Sequence, residues 1–336
     1  MAFVTRYGTY FGLVPNQVGR VHFVAPSASY TVDGRTYSAS DDNDGLSPER
    51  ALLTISQAYT NITASAGEVI LLLEGTHSPS ATVRLAKAGI TIAGVRSSFS
   101  GDLVGPGLSP ASLKSKVSFV SAAAPGFSIE ADNIEFAFFE LRPASGFGGV
   151  YFRNSSPDAF YMHDCLVNMA AGQPISLDTS GIDFGYRADV AGLATRSMTR
   201  LTQITQRATA YLSNVSFISG GANGPAIITA TADATVVGCR FHTRAGAWAT
   251  PFAVATGTGF VFVQGSHWTC QTTTGMGVPF DGTNAGIVNG KVSISDCRFP
   301  PLPPGVNSPI DNWVAGVAAV TECYVGNSGT AVSSSA

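Results

Sequence analysis

Short segments of alternating apolar and polar residues recur along this chain, and each ends in the same way. Phe160-Tyr161-Met162-His163-Asp164-Cys165-Leu166-Val167 aligns with Tyr211-Leu212-Ser213-Asn214-Val215-Ser216-Phe217. The pattern returns in Thr235-Val236-Val237-Gly238-Cys239-Arg240-Phe241, Val263-Gln264-Gly265-Ser266-His267-Trp268, Val292-Ser293-Ile294-Ser295-Asp296-Cys297-Arg298-Phe299 and Val320-Thr321-Glu322-Cys323-Tyr324-Val325. Each copy is a short strand, one Asp, Asn or Gly-type residue, then Cys or a stand-in, any residue, and a large apolar one. The slots Val215, Cys239, Ser266, Cys297 and Cys323 are spaced by 24, 27, 31 and 26 residues, and the 50 from Cys165 to Val215 leave room for two turns. This period, with two-residue alternation inside it, predicts a β-solenoid in which each coil buries its inward side chains on the next.

The residue before the slot is Asp164, Asn214, Gly238, Gly265 or Asp296, with Glu322 the exception. Asp, Asn and Gly tolerate the left-handed backbone that a one-residue corner between strands requires. Four of the five cysteines therefore form an internal column, where free Cys acts as a small hydrophobe. An odd number of cysteines without a CxxC pair fits neither a disulfide framework nor a zinc ribbon.

Ahead of the coils, Ser47-Pro48-Glu49 reads as a helix start, with Ser as N-cap and Pro in the first turn. Apolar positions at Leu52, Leu53, Ile55, Ala58 and Tyr59 extend it over about 47–60, as a cap on the open end of the solenoid. Strands follow at 68–73 and 89–95. The expected fold is all-β, a right-handed parallel β-helix over 39–327 with a short N-terminal capping helix. An extended N-terminal arm (1–38) precedes it and a Ser-rich tail (328–336) follows. An irregular insertion is expected at about 170–210, and a stiff proline-rich loop at 300–309. The arm is aromatic-rich (Phe3, Tyr7, Tyr10, Phe11, Phe23, Tyr30, Tyr37), suited to packing along the solenoid or docking on a partner.

Charged residues are only 12% of the 336, and the formal net charge is -3. That excludes a disordered charged tail and argues against general nucleic-acid binding, which rests on a Lys/Arg excess. The longest apolar run, Val69-Ile70-Leu71-Leu72-Leu73, is far too short to span a membrane. The first residues lack the features of a secretory signal, so the expected place of folding is the cytoplasm.

One stretch carries a resemblance. Ser40-Asp41-Asp42-Asn43-Asp44-Gly45-Leu46-Ser47-Pro48, Thr54-Ile55, Gln57-Ala58, Gly67-Glu68-Val69-Ile70, Glu74-Gly75-Thr76 and Ala88-Gly89-Ile90-Thr91-Ile92-Ala93-Gly94 together resemble the opening of pectate-lyase-like right-handed parallel β-helix proteins. Many of these are phage tailspikes or other virion surface proteins. The specific match covers 40–95. It implies the fold; activity is not implied, because this superfamily mixes lyases, hydrolases and inert structural proteins.

No candidate chemistry resolves into an active site. Asp42, Asp44 and Gly45 fall at calcium-loop positions three, five and six, but Ser40 and Ala51 occupy positions one and twelve, so a turn is expected. Carboxylate pairs of the glycosidase type need two acids facing one groove. Glu135, Glu140 and Asp164 are the candidates in the coils, and Asp178 with Asp183 in the insertion. A lyase-like set would draw on Asp158, Asp164 and Arg153. His22, His77, His163, His242 and His267 have no metal-ligand spacing, so solvated surface imidazoles are expected. Arg187, Arg196, Arg200 and Arg207 form a local basic bias suited to a protein partner or an anionic glycan, and Trp248, Trp268, Tyr151 and Tyr161 could stack on sugars.

The leading expectation is a non-enzymatic virion surface protein, with no catalytic, cofactor-binding or metal-binding residues and no cofactor. It would be a head decoration (cement) protein on the outside of a bacteriophage particle, assembled in the host cytoplasm. Its partners would be the major capsid protein or other virion proteins, in a homotrimer implied by the resemblance. The alternative is a tail or vertex spike that binds or cleaves host surface polysaccharide.

Overall fold

The computed structural model describes residues 19–95, 113–119, 126–142, 150–152, 160–169, 175–177, 209–219, 227–229, 233–243, 252–254, 261–270, 280–281, 292–300, 310–311, 318–321, 323–325 and 330–331. Three sheets, two of ten strands and one of eight, run the length of these residues, and consecutive coils are hydrogen-bonded in parallel. The first sheet opens with Val21–Val24, Glu68–Leu72, Ile90–Gly94, Ile134–Ala137 and Phe160–His163, and continues through Thr209–Ser213, Asp233–Val237, Val261–Gln264 and Val292–Ser295 to Ala318–Thr321. The second runs from Gly75–His77 through Ser115–Ser118, Phe139–Arg142, Leu166–Met169, Ser216–Ser219, Arg240–Thr243, His267–Cys270 and Arg298–Phe299 to Tyr324–Val325. The third begins at Val83–Leu85 and ends at Ile310–Asp311. This is the expected right-handed parallel β-helix.

Alternation along each strand decides what is inside. On the first sheet Ile92, Phe136, Met162, Leu212, Val236, Val263 and Ile294 line one inward column and are fully buried. On the second, Phe217, Phe241, Trp268 and Phe299 occupy one column. Their rings stack at centroid separations of 5.1, 4.8 and 4.7 Å. One continuous apolar cluster joins these columns to the helix at the open end. Each fully buried large side chain contributes roughly 1.5–3 kcal/mol, which no coil could gain in isolation.

The corner between the first and second sheets is as expected. Asp164, Asn214, Gly238, Gly265 and Asp296 have φ between 51 and 61°. The corner N–H groups of Asp164, Asn214, Gly238 and Gly265 each donate to a carbonyl of the following coil, at 2.9–3.2 Å. Cys165, Cys239, Cys297 and Cys323 are buried in one column with Val215 and Ser266. One coil earlier the corner is Phe138, a bulky residue at φ 61°, in a region where such side chains are strained. Its backbone oxygen approaches Gly94, where an added Cβ would lie 2.4 Å from it, so only glycine fits there.

Several boundaries differ from the expectation. The 50 residues between Cys165 and Val215 make one coil: Phe160–His163 pairs directly with Thr209–Ser213, and Ile175–Leu177 with Ile227–Thr229. Within the expected insertion, Ile175–Leu177 is thus a regular strand, and 178–208 lie outside the described residues. The arm is shorter than expected, because Val21–Val24 pairs with Glu68–Leu72 as the first strand of the first sheet, with Phe23 and Val24 buried. Ser29–Val32 and Arg35–Ser38 form a hairpin beside it. Residues 1–18 lie outside the described part. The tail also contributes, since Thr330–Ala331 pairs antiparallel to Tyr324–Val325.

The capping helix exists but starts later. Ser47 precedes only a 3-10 turn, Pro48–Arg50, and makes no side-chain cap. The α-helix is Ile55–Asn61, with the Thr54 hydroxyl accepting from the Gln57 N–H at 3.1 Å. Asp41 fixes this start from upstream: its carboxylate accepts from the N–H groups of Leu53 and Thr54 and from the Thr54 hydroxyl, at 3.0, 2.8 and 2.9 Å. Ile55 and Ala58 face the core, and the helix packs on Val21–Val24, Glu68–Leu72 and Val83–Leu85.

Candidate functional site

Among the described residues, the outer face of the first sheet brings several chemistry-bearing side chains together. In-register pairing places Glu135 beside Tyr161, and Ala137 beside His163, on adjacent coils. The strand Phe160–His163 then turns at Asp164. His163 Nε2 lies 3.0 Å from Glu135 Oε1, and Nδ1 lies 2.9 Å from Asp164 Oδ2. Glu135 also accepts from the Thr91 hydroxyl at 2.7 Å, and Asp164 from the Asn214 amide at 2.7 Å. The Phe138 ring meets the imidazole edge-on at 5.4 Å. Four successive coils are thus tied through one imidazole.

The electrostatics follow from the geometry. Burial alone would lower the pKa of His163, but the hydrogen bonds and charges of Asp164 and Glu135 outweigh it and raise the value to about 9. Burial works against ionisation of Glu135 in the same way, yet the bonds from His163 and Thr91 hold its pKa below the usual range. The group is an imidazolium between two carboxylates. Both ring nitrogens are engaged, so as it stands the ring offers no free base to a substrate.

The other candidates separate from this cluster. Glu140 lies past the corner on the second sheet, buried and paired with Arg142 at 2.6 Å and Lys116 at 3.7 Å. Asp41 is committed to the helix start, while Asp44 accepts from the Leu46 N–H and pairs with Arg50. Among the described residues no group of three or more His, Cys, Asp or Glu is arranged to hold a metal ion. Asp158, Asp178, Asp183, Arg153, Arg187, Arg196, Arg200, Arg207 and Trp248 lie outside the described residues, as does the side chain of Tyr151.

The expectation of solvated imidazoles is corrected at four positions. His163 is ion-paired. His22 and His77 are buried, the first beside Glu68 and the second bonded to the Leu73 carbonyl. His242 bonds the Thr269 hydroxyl at 2.8 Å. Trp268 is likewise no sugar platform, being 1% exposed and stacked between Phe241 and Phe299. Tyr161 does face outward at 42% exposure, and Phe262 shares its row three coils on. The role of His163 was missed because its partner Glu135 is one coil away. The 28-residue separation, close to the coil period, was the signal available.

No protein-family model and no curated protein sequence matches the chain. Among solved structures it is similar to the pectin methylesterase from Aspergillus niger in deglycosylated form, at 12% identity and a TM-score of 0.53, covering 96% of this chain and 93% of that one. It is also similar to pectin methylesterase PemA from Erwinia chrysanthemi, at 12% identity and a TM-score of 0.51, covering 93% and 91%. A pectin methylesterase in complex with a hexasaccharide gives 12% identity, a TM-score of 0.52, and coverage of 89% and 92%. Likeness at this identity concerns architecture, and the site chemistry above is this chain's own. Pectin methylesterases have the right-handed parallel β-helix fold, and this chain shares that fold.

Proposed function

We propose that this protein is a non-enzymatic component of a bacteriophage virion surface, a head decoration protein that binds the capsid lattice as a homotrimer. The observation that carries the reading is the commitment of its carboxylates. Glu135 and Asp164 are locked on His163, Glu140 on Arg142, Glu130 on Arg84, and Asp41 on the helix start. Acids spent on holding coils together suit a rigid scaffold better than a catalyst, whose acids must be free to exchange protons. The resemblance of residues 40–95 to β-helix proteins of phage particles supports the virion setting. Residues 1–18 are the proposed attachment arm.

A second reading rests on the outward Tyr161 and Phe262, which suit stacking on sugar rings, and on a fold shared with pectin methylesterases. In that case the protein is a spike that binds or cleaves host polysaccharide.

Copy number per particle separates the two, measured by quantitative mass spectrometry against the major capsid protein. Hundreds of copies are expected, and particles rebound with protein lacking residues 1–18 should lose occupancy while that protein stays folded. The truncation must stop there, because Val21–Val24 is a strand of the first sheet. A few dozen copies would support the spike, and absence from purified particles would overturn both readings.

A further inference from the structure

The second sheet carries a basic row on its outer face. Register places Arg240 beside His267 and His267 beside Arg298, on three successive coils. Their neighbours in sequence, Phe241, Trp268 and Phe299, are buried, so alternation turns the three basic side chains outward, with Arg298 exposed and the other two half-buried. The backbone beneath is fixed: the N–H groups of Arg240, His267 and Arg298 donate across coils to Val215, Cys239 and Ser266 at 2.9, 2.9 and 3.0 Å.

This row differs from the other arginines described above. Arg84 is bidentate on Glu130, Arg142 is on Glu140 and Arg50 on Asp44. Among the described residues neither Arg240 nor Arg298 has a carboxylate partner, and the buried Nε of Arg240 has no hydrogen-bond partner at all. Two guanidiniums on one outward row without a carboxylate between them leave an unneutralised pair of charges, and an oxyanion supplies charge-assisted acceptors for it. The imidazole of His267 is held below its usual pKa by burial and then by the two guanidiniums, so at neutral pH the row presents two positive charges around a neutral ring.

We infer that Arg240, His267 and Arg298 form a clamp for a tetrahedral dianion, a phosphate or sulfate group, seated over His267. Strand spacing puts the two arginine backbones roughly 10 Å apart, so both side chains reach an anion centred between them. Planar guanidinium forks suit such oxyanions. The group arrives either as the free ion or as an ester on a polymer, and both present the same oxygens.

The test is a titration of the full chain at low ionic strength with sodium sulfate, sodium phosphate and a short dextran sulfate oligomer, followed by the NMR signals of the His267 ring. Saturable shifts are expected, weakened about tenfold by Arg298→Gln and abolished in Arg240→Gln/Arg298→Gln. Arg84→Gln, at a paired arginine, should bind like the parent. Tighter binding of the oligomer supports the clamp and identifies an ester as the ligand, whereas equal binding supports it with the free ion. Arg298 is exposed, so its variant keeps the test valid if the double variant misfolds. His267 signals that do not move with any of the three anions would overturn the clamp. So would an Arg298→Gln protein, or a folded double variant, that titrates like the parent.

Discussion

At neutral pH the imidazole of His163 stays protonated because two carboxylates from two coils hold it, and this makes the stability of the protein depend on pH in a defined direction. The folded pKa of about 9 lies above the ordinary 6.5, so the stabilisation is complete below pH 6.5 and is lost as pH rises through 9. Glu135 acts in the opposite sense, its contribution being present above its unfolded value near 4.5 and lost as acid protonates it. The triad is therefore most stabilising around pH 5–6.5. Across pH 6.5–9.5 the histidine accounts for about 2–3 kcal/mol. Urea midpoints at these pH values should fall in the parent and stay nearly flat in His163→Gln. Equal slopes in the two proteins would show that the imidazolium does not stabilise the fold. The strained corner at Phe138 belongs to the same group, since its ring closes one side of the imidazole.

At the scale of elements, the helix Ile55–Asn61 is too short to persist on propensity alone, and its start depends on two side chains. Thr54→Ala removes the cap and should cost about 1 kcal/mol. Asp41→Ala leaves the N–H groups of Leu53 and Thr54 without their acceptor and should cost more, about 1–3 kcal/mol. Denaturant unfolding of both variants tests the order, and an Asp41→Ala protein as stable as Thr54→Ala would contradict it. The same element shows where local reading stops. Ser47-Pro48-Glu49 satisfies every short-range rule for a helix start, yet an aspartate upstream selects Thr54, and a contact over that distance leaves no periodic mark. The corners were legible because one backbone conformation admits few residue types and the choice recurs every coil. Val21–Val24 was hidden for the opposite reason: its pairing partner Glu68–Leu72 lies beyond the hairpin and the helix, with no repeat to announce it. Of the candidate site, the acids could be seen in the sequence as separate residues. Their convergence on His163 could not, because it depends on how the outward rows align between coils.

For the whole molecule, stability is distributed along the axis through columns that join neighbouring coils. The stack of Phe217, Phe241, Trp268 and Phe299 spans four of them. Trp268→Ala removes the largest member and should cost about 3–5 kcal/mol. Trp268→Phe should stay within about 1.5 kcal/mol of the parent, because the buried indole N–H has no partner and its loss offsets part of the lost contact. Thermal unfolding followed by near-UV circular dichroism measures both. A phenylalanine variant as damaged as the alanine one would show that ring size, and not stacking, governs the column.

The two-residue link at the first corner works like the pitch of a screw thread. From Phe160–His163 onward the link between the first and second sheets is Asp164-Cys165, Asn214-Val215, Gly238-Cys239, Gly265-Ser266 and Asp296-Cys297, the same length in each of these coils, whereas the earlier step from Ile90–Gly94 to Ser115–Ser118 takes residues 95–114. Chain lengths elsewhere vary freely, the step from the third sheet to the next coil being residues 230–232 in one place and 178–208 in another. An extra residue in one of these two-residue links would throw the second-sheet strand that follows it out of phase, turning its buried side chains outward. An extra residue in the other links is absorbed before the next strand begins. In the coils from Phe160 onward, sequence drift and engineered inserts are therefore tolerated along one edge and refused along another, which makes the step between third and first sheets the natural place to carry a foreign peptide.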